Sequence, residues 1–296
     1  MIPEAVRDLR GYQRGGAVLL EFTVPEKTTE DLVLKAPPEI ELRAGENPQG
    51  GFEMGAWLAA SGRLPAPEVS GGTAKLRVAS EAWAGREMVF AVRTVGPRGR
   101  ASEWSNLLVL RVVAAPAVPR EVRAEATPEG VRVTWEGEGR RWRVFRKAGA
   151  EFEQAAEVEQ REWLDREASF GQSYEYAVEQ VAETGAAPAV SEPSAPARIH
   201  YADKFPPAPP TGLRALAGTG VVELNWDRNS EADFRAYQVW RAEGDGALER
   251  LGGPGASSAF SDRTALAGRR YRYAVSAIDE KGNESRPCEP VEIVAP

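Results

Sequence analysis

One short phrase is written three times along this chain, and that repetition limits the fold more than any other feature. YRYAVSAIDEKGNES begins at Tyr271, YEYAVEQVAETG at Tyr174 and MVFAVRTVGPRG at Met88. In the last copy Tyr271, Tyr273 and Val275 alternate with Arg270, Arg272 and Ala274. That is the period of a strand with one buried face, and GNES closes it with turn residues. Extending outward recovers a whole unit. VVELNW (221–226) and AYQVWR (236–241) precede the phrase in the last third, VRVTW (131–135) and RWRVFR (141–146) in the middle, VLLEF (18–22) and EIELRAG (39–45) in the first. Each unit opens on proline and a short apolar segment: PEAVRDLRG, PREVRAEA and PPTGLRALA. Short strands joined by turns, repeating every roughly 90 residues, argue for a β-sandwich.

These residues resemble the fibronectin type III family. The likeness lies in the Pro-x-x-x-x-Leu-like opening, the tryptophan closing the second strand, the Tyr-x-Val-x-Arg-like third strand and the Tyr-x-Tyr-x-Val strand. It covers essentially the whole chain, most fully in the last third. It implies an all-β fold of three tandem immunoglobulin-like (fibronectin type III) β-sandwiches, with domains expected at 1–113, 114–203 and 204–296. It further implies that Tyr174 and Tyr271 each bond to nearby backbone. The first unit departs from the pattern, with Phe22 in place of the tryptophan and Met88 in place of the tyrosine. The arrangement as a whole also looks like bacterial exported lipoproteins carrying tandem domains of this kind, although the lipid-bearing cysteine they use is not in this chain.

Spacing locates a second departure. From the second-strand aromatic to the start of the repeated phrase is 45 positions in the last unit (226 to 271) and 39 in the middle one (135 to 174), but 66 in the first (22 to 88). Much of the excess is AGENPQGGFEMGAWLAASGRLPAPEVSGG (44–72), which carries Phe52 and Trp57. Long loops in compact domains are usually functional or floppy. An aromatic there can anchor a sugar ring or a protein, since it offers flat apolar area at low entropy cost. It can equally tuck back onto its own domain. Phe52 and Trp57 are therefore the candidate binding residues.

Two places of lost aromatic volume in the first unit must be refilled. Trp83 is expected to plug the sandwich end near Met88, and at least one insert aromatic to pack on a sheet. In the other units Trp226, Tyr237 and Val239, and Trp135, Trp142 and Val144, should join the repeated phrase in the core. Trp240 then faces outward, and Arg270 or Arg272 should cover its ring. AAPAVP (114–119) should restrict the first junction, and FPPAPP (205–210) should be extended, with Phe205 as its anchor.

Charge and composition exclude several classes of function. The net charge is −7 from 37 basic and 44 acidic residues, and the middle third alone carries 11 against 17. No third is basic, which argues against a nucleic-acid partner. Cys288 is alone, so neither an internal disulfide nor a cysteine metal cage is available. No apolar run approaches the ~20 residues that span a bilayer. MIPEAVRDLRGY lacks the pattern of a signal peptide, so the protein is expected to be either cytoplasmic or exported by a segment not in this sequence. His200, the single histidine, sits at a strand end in ARIHYADKF, without the partners a triad or zinc site needs. No nucleophile-elbow or phosphate-cradling glycine pattern appears.

Two further motifs have plain readings beside their sharper ones. Asp227, Asn229, Glu231 and Asp233 in DRNSEADF form an oxygen-rich run of the kind calcium favours, yet such residues are also turn formers. The run lacks the glycine and terminal glutamate of an EF-hand loop. Ser102-Glu103-Trp104-Ser105 resembles half of the Trp-Ser-x-Trp-Ser element of cytokine-receptor members of the superfamily, and arginines at 93, 98 and 100 could cover Trp104. The expectation is a non-enzymatic, extracytoplasmic module, with no catalytic residue, metal or cofactor. It would bind or space protein or glycan partners at a cell surface or in the periplasm, with membrane attachment only through a lipid anchor. The alternative is an accessory array of a polysaccharide-degrading system.

Overall fold

The structure, a computed structural model, describes residues 2–185 and 187–295. It divides into two compact units, Met1–Tyr201 and Ala202–Pro296. The first unit contains two sandwiches and the second contains one.

In the first sandwich β1 (Arg10–Arg14), β2 (Ala17–Thr23), β5 (Glu68–Ser70) and β6 (Thr73–Ala79) form one sheet in the order β1-β2-β6-β5. Facing it are β3 (Glu39–Glu46), β4 (Gly62–Arg63), β7 (Glu87–Val95) and β8 (Leu108–Arg111), in the order β4-β3-β7-β8. A short helix, α1 (Met54–Ala60), lies between β3 and β4. Alternation sets the core: Val18, Leu20 and Phe22 of β2 meet Met88, Phe90 and Val92 of β7. Trp83 packs against this core edge-on to Phe90, with ring centroids 5.6 Å apart. It refills the aromatic volume that Phe22 and Met88 leave short.

The second sandwich sets β9 (Arg120–Thr127), β10 (Gly130–Glu136) and β13 (Glu162–Asp165) against β11 (Arg141–Lys147), β12 (Glu153–Val158) and β14 (Ser173–Ala182). Beyond β14 lie β15 (Ala189–Val190) and β16 (Ala197–His200), both antiparallel to it. Trp135, Trp142, Val144, Tyr174, Tyr176 and Val178 are all buried. The third sandwich sets β17 (Arg214–Gly218), β18 (Val221–Asn225) and β21 (Ala259–Asp262) against β20 (Glu249–Gly255), β19 (Phe234–Glu243), β22 (Arg270–Asp279) and β23 (Val291–Val294). Its core unites Trp226, Tyr237, Val239, Tyr271, Tyr273 and Val275. Three strands against four, with the repeated phrase central in the larger sheet, is the immunoglobulin-like fibronectin type III arrangement.

The corner bonds are present. Tyr174 Oη accepts from the Ser169 amide at 2.9 Å, and Tyr271 Oη from the Leu266 amide at 3.2 Å. Trp240 is covered, but by Arg250, whose guanidinium carbon lies 4.8 Å from the ring centroid. Arg270 turns instead to Asp245 and Glu292, and Arg272 donates to the carbonyls of Gly244 and Gly246. The reason is register: β20 pairs Arg250 directly with Trp240, closer than any diagonal neighbour on β22.

Within the first unit the two sandwiches share a sheet. Arg14 of β1 pairs in parallel with Val190 of β15, and the Gly15 amide donates to Val190 O at 2.7 Å. Arg14 also reaches Glu179 at 2.9 Å, and Arg77 reaches Glu192 at 2.7 Å. Behind this joint, Gln13 Nε2 donates to the carbonyls of Gly15 and Val113, and its Oε1 accepts from the Val113 amide. In the second unit, FPPAPP lies along its own sandwich. The Ala208 amide donates to Glu231 at 2.8 Å and Asn229 Nδ2 donates to Ala208 O. Phe205 is half-buried.

Candidate functional site

The long insert of the first sandwich builds a cover for the outer face of β7. Glu53 starts α1 by accepting from the amides of Gly55 at 2.9 Å and Ala56 at 2.6 Å, and those bonds hold its carboxyl below the usual range. Trp57 then points at the sheet, 3 % exposed, against Val89 and Ala91. Gly45 makes room for it, since a Cβ there would lie 2.6 Å from the indole nitrogen. Of the two insert aromatics Trp57 therefore offers no free ring face. Phe52 is 37 % exposed and leans on Trp57, with centroids 5.8 Å apart.

A charged ladder ties the insert down. Glu41 is buried and receives Arg43 at 2.8 Å and Arg93 at 2.7 Å. Burial pushes its carboxyl up, but the two guanidinium groups outweigh that and hold it below the usual range. Arg43 also donates to the carbonyls of Leu58 and Ser61 at the end of α1. Arg93 stacks on Trp104 at 4.7 Å. The half-motif Ser102-Glu103-Trp104-Ser105 therefore acts in packing. Its serines continue the ladder beside β7, accepting from the amides of Thr94 and Val92.

The same device recurs in every sandwich. Ser191 and Ser194 accept from the amides of Gln180 and Val178, and Ser285 from Ala277. Cys288 stands in the fourth position of the last copy, its Sγ accepting from the Val275 amide at 3.4 Å. Ser-x-x-Ser or Ser-x-x-Cys after each repeated phrase was the legible signal. A second missed repeat is a buried Tyr-Asp-Arg bridge: Tyr176, Asp165 and Arg146 in one sandwich, Tyr273, Asp262 and Arg241 in the next. In the first sandwich Phe90 takes the tyrosine position and has no hydroxyl to give.

Among the described residues, reactive groups do not assemble into a catalytic constellation. Ser173 Oγ lies 3.2 Å from Nδ1 of His200, its cross-strand partner. Among the described residues no carboxylate pairs with that ring, and both residues are exposed. A nucleophile–base pair needs a third group to orient the base. DRNSEADF acts in turns: Asp227 accepts from Thr211 Oγ1, Asn229 donates from its backbone to Tyr237 Oη, and Glu231 holds the proline segment. Asp233 instead converges with Asp203 and Asp279, carboxylate oxygens from all three lying within 4.8 Å of one another. That set has the hard-oxygen chemistry a divalent cation takes, though Asp279 already accepts from the backbone and side chain of Asn283.

Comparison with known proteins bears on part of the chain. No family model matches it. A stretch of 84 residues, 28% of this chain, is 34% identical to an amylopullulanase of Thermoanaerobacterium saccharolyticum, covering 6% of that protein. An 87-residue stretch is 34% identical to the amylopullulanase of Thermoanaerobacter thermohydrosulfuricus, again 6% of its length. The enzyme of Thermoanaerobacterium thermosulfurigenes matches over 84 residues and 4% of its length. The chain thus spans only a small fraction of these curated relatives. Among solved structures, the FN1–FN3 domains of chicken CNTN1 align over 99% of both chains at 15% identity, with a TM-score of 0.31. That score is too low to add to what the strand order already establishes.

Proposed function

We propose that this chain is a non-catalytic accessory array that binds and positions polysaccharide for a polymer-degrading system outside the cytoplasm. The observation that carries the reading is the 34% identity over 84 residues to amylopullulanases, enzymes named for polysaccharides. The match covers 6% of the first of those proteins, the proportion expected of one appended module and not of a catalytic domain. The geometry agrees, because the polar clusters of the sandwiches are tied into structural bonds. A polymer too large to enter a cell must be met outside it, which supports an extracytoplasmic site of action. The reading the sequence alone favours, a cell-surface or periplasmic module or spacer for protein or glycan partners, rests on the same sandwiches but has no comparable match behind it.

Affinity electrophoresis of the full chain through gels containing pullulan, amylopectin, cellulose or xylan tests the reading. Retardation by at least one polymer, with no release of reducing ends, is the expected result. Free migration through all four, or hydrolysis of any, would overturn it.

A further inference from the structure

The first sandwich treats its two outer faces differently. The face of β7 is covered by α1 and Trp57, whereas the face of β1, β2 and β6 is left open. Along that open face Tyr12, Leu19 and Arg77 stand in one cross-strand row. Tyr12 is 38% exposed, and the Arg14 guanidinium sits over its ring at 5.7 Å. Arg10, Glu21, Lys75 and Glu68 form the next row, alternating in charge from strand to strand. Together they line a groove of about 670 Å³.

From this face we infer a binding track for a neutral polysaccharide chain, with Tyr12 as its stacking platform. The inference rests on the proposed function above and names the surface that would perform it. Charge decides the class of occupant. Each arginine on the face is paired with an anion: Arg10 with Glu21 at 2.6 Å, Arg77 with Glu192 at 2.7 Å, and Arg14 with Glu179 at 2.9 Å, while Lys75 stands between Glu21 and Glu68 in its cross-strand row. A self-neutralised face gives no long-range attraction to an acidic or basic partner. It still presents fixed guanidinium donors and carboxylate acceptors, the mixture that hydroxyl groups satisfy in both directions. Tyr12 and Leu19 supply the flat apolar strip for the ring faces of a sugar. Four strands about 4.8 Å apart make a track about 14 Å across, long enough for several sugar residues in line.

The test compares the full chain with Tyr12→Ala, Tyr12→Phe and Phe52→Ala in pullulan and amylopectin gels, with thermal unfolding as the fold control. Loss of retardation by at least tenfold in affinity for Tyr12→Ala, near-normal retardation for Tyr12→Phe and an unchanged unfolding temperature are the expected results. Equal retardation of wild type and Tyr12→Ala would sink the track and leave the accessory reading standing. So would loss confined to Phe52→Ala, which would move binding to the insert. A wild type that no polymer retards removes both ideas together. If Tyr12→Ala instead dissolves a concentration-dependent dimer seen by sedimentation, the strip is a self-association surface and the inference is wrong.

Discussion

The hydroxyl of Tyr273 donates to Oδ2 of Asp262 at 2.7 Å in the middle of the third sandwich, joining the repeated phrase to the strand of the opposite sheet. Arg241 reaches the same oxygen at 2.7 Å, and Thr264 donates twice to the other. Burial pushes the Asp262 carboxyl up, but these four donors more than offset it and hold it below the usual range. Burial and the adjoining carboxylate push the Tyr273 phenol well above its ordinary value, so it stays a donor.

Asp262→Ala should therefore destabilise the third sandwich by about 3–5 kcal/mol, because it leaves a partly buried guanidinium without its anion. Tyr273→Phe removes one donor and keeps the ring, and should cost about 1–3 kcal/mol. The pH dependence follows from the lowered carboxyl. Its stabilising contribution is full above the unfolded carboxylate value and disappears as pH falls through the folded one. Chemical denaturation between pH 7 and pH 3 should show that acid loss in the wild type and a flatter curve for Asp262→Asn. An equally steep curve for the variant would exclude Asp262 as its source.

Glu179 should behave in the opposite sense. It is buried at the joint between the first two sandwiches, and burial pushes its carboxyl up despite Arg14 and Arg143, with Glu192 adding to the rise. A carboxylate raised in the folded state binds its proton more tightly there than when unfolded. Stability then falls as pH rises from the unfolded value through the folded one. Glu179→Gln should remove that slope and leave the first unit no less stable at neutral pH. Denaturation of residues 1–201 followed in the full chain, by tryptophan fluorescence at pH 5 and pH 8, would detect the difference. A clear loss of stability in Glu179→Gln at pH 8 would mean that the Arg14 pair outweighs the burial.

What could be read from the sequence was whatever strand alternation decides locally. Tyr271, Tyr273 and Val275 face inward because neighbouring residues on a strand must face opposite ways. The same rule placed Trp240 outside, but which arginine would cover it depended on the register of a hairpin, and the answer was Arg250. The Asp262 bridge was hidden because its partners come from three strands. The joint at Arg14 and Val190 was illegible for a different reason. It is made by main-chain groups, which any residue supplies. Tyr12 could have been noticed, since RGYQR puts it on the face opposite Gln13, but nothing in the sequence says that face is uncovered.

Cys288 gives a third prediction. Its thiol replaces a serine hydroxyl in the fourth position of the recurrent Ser-x-x-Ser turn, and burial pushes its pKa up. Thiol reactivity follows the thiolate fraction, so the folded protein should react slowly with iodoacetamide at pH 8 and quickly once unfolded. Cys288→Ser should fold normally, because the hydroxyl can take the Val275 amide as Ser194 takes that of Val178. Fast alkylation without unfolding would show that the turn opens readily.

The insert aromatics separate packing from recognition within five residues. Trp57 is sealed between Val89, Ala91 and the floor that Gly45 leaves open, so Trp57→Ala should create a cavity and cost about 3–5 kcal/mol. Gly45→Ala should also destabilise, because its methyl would enter the space of the indole nitrogen. Phe52 is more than a third exposed and leans on Trp57, so Phe52→Ala should cost less than about 1 kcal/mol. Removing residues 50–61 takes away the cover of β7 along with α1. The exposed Val89 and Ala91 strip would then make the first sandwich less stable by several kcal/mol and more prone to associate. Urea denaturation of the three point variants and the deletion, read by near-ultraviolet dichroism, orders these effects. If the deletion leaves stability unchanged, Trp57 is not the seal that its burial indicates.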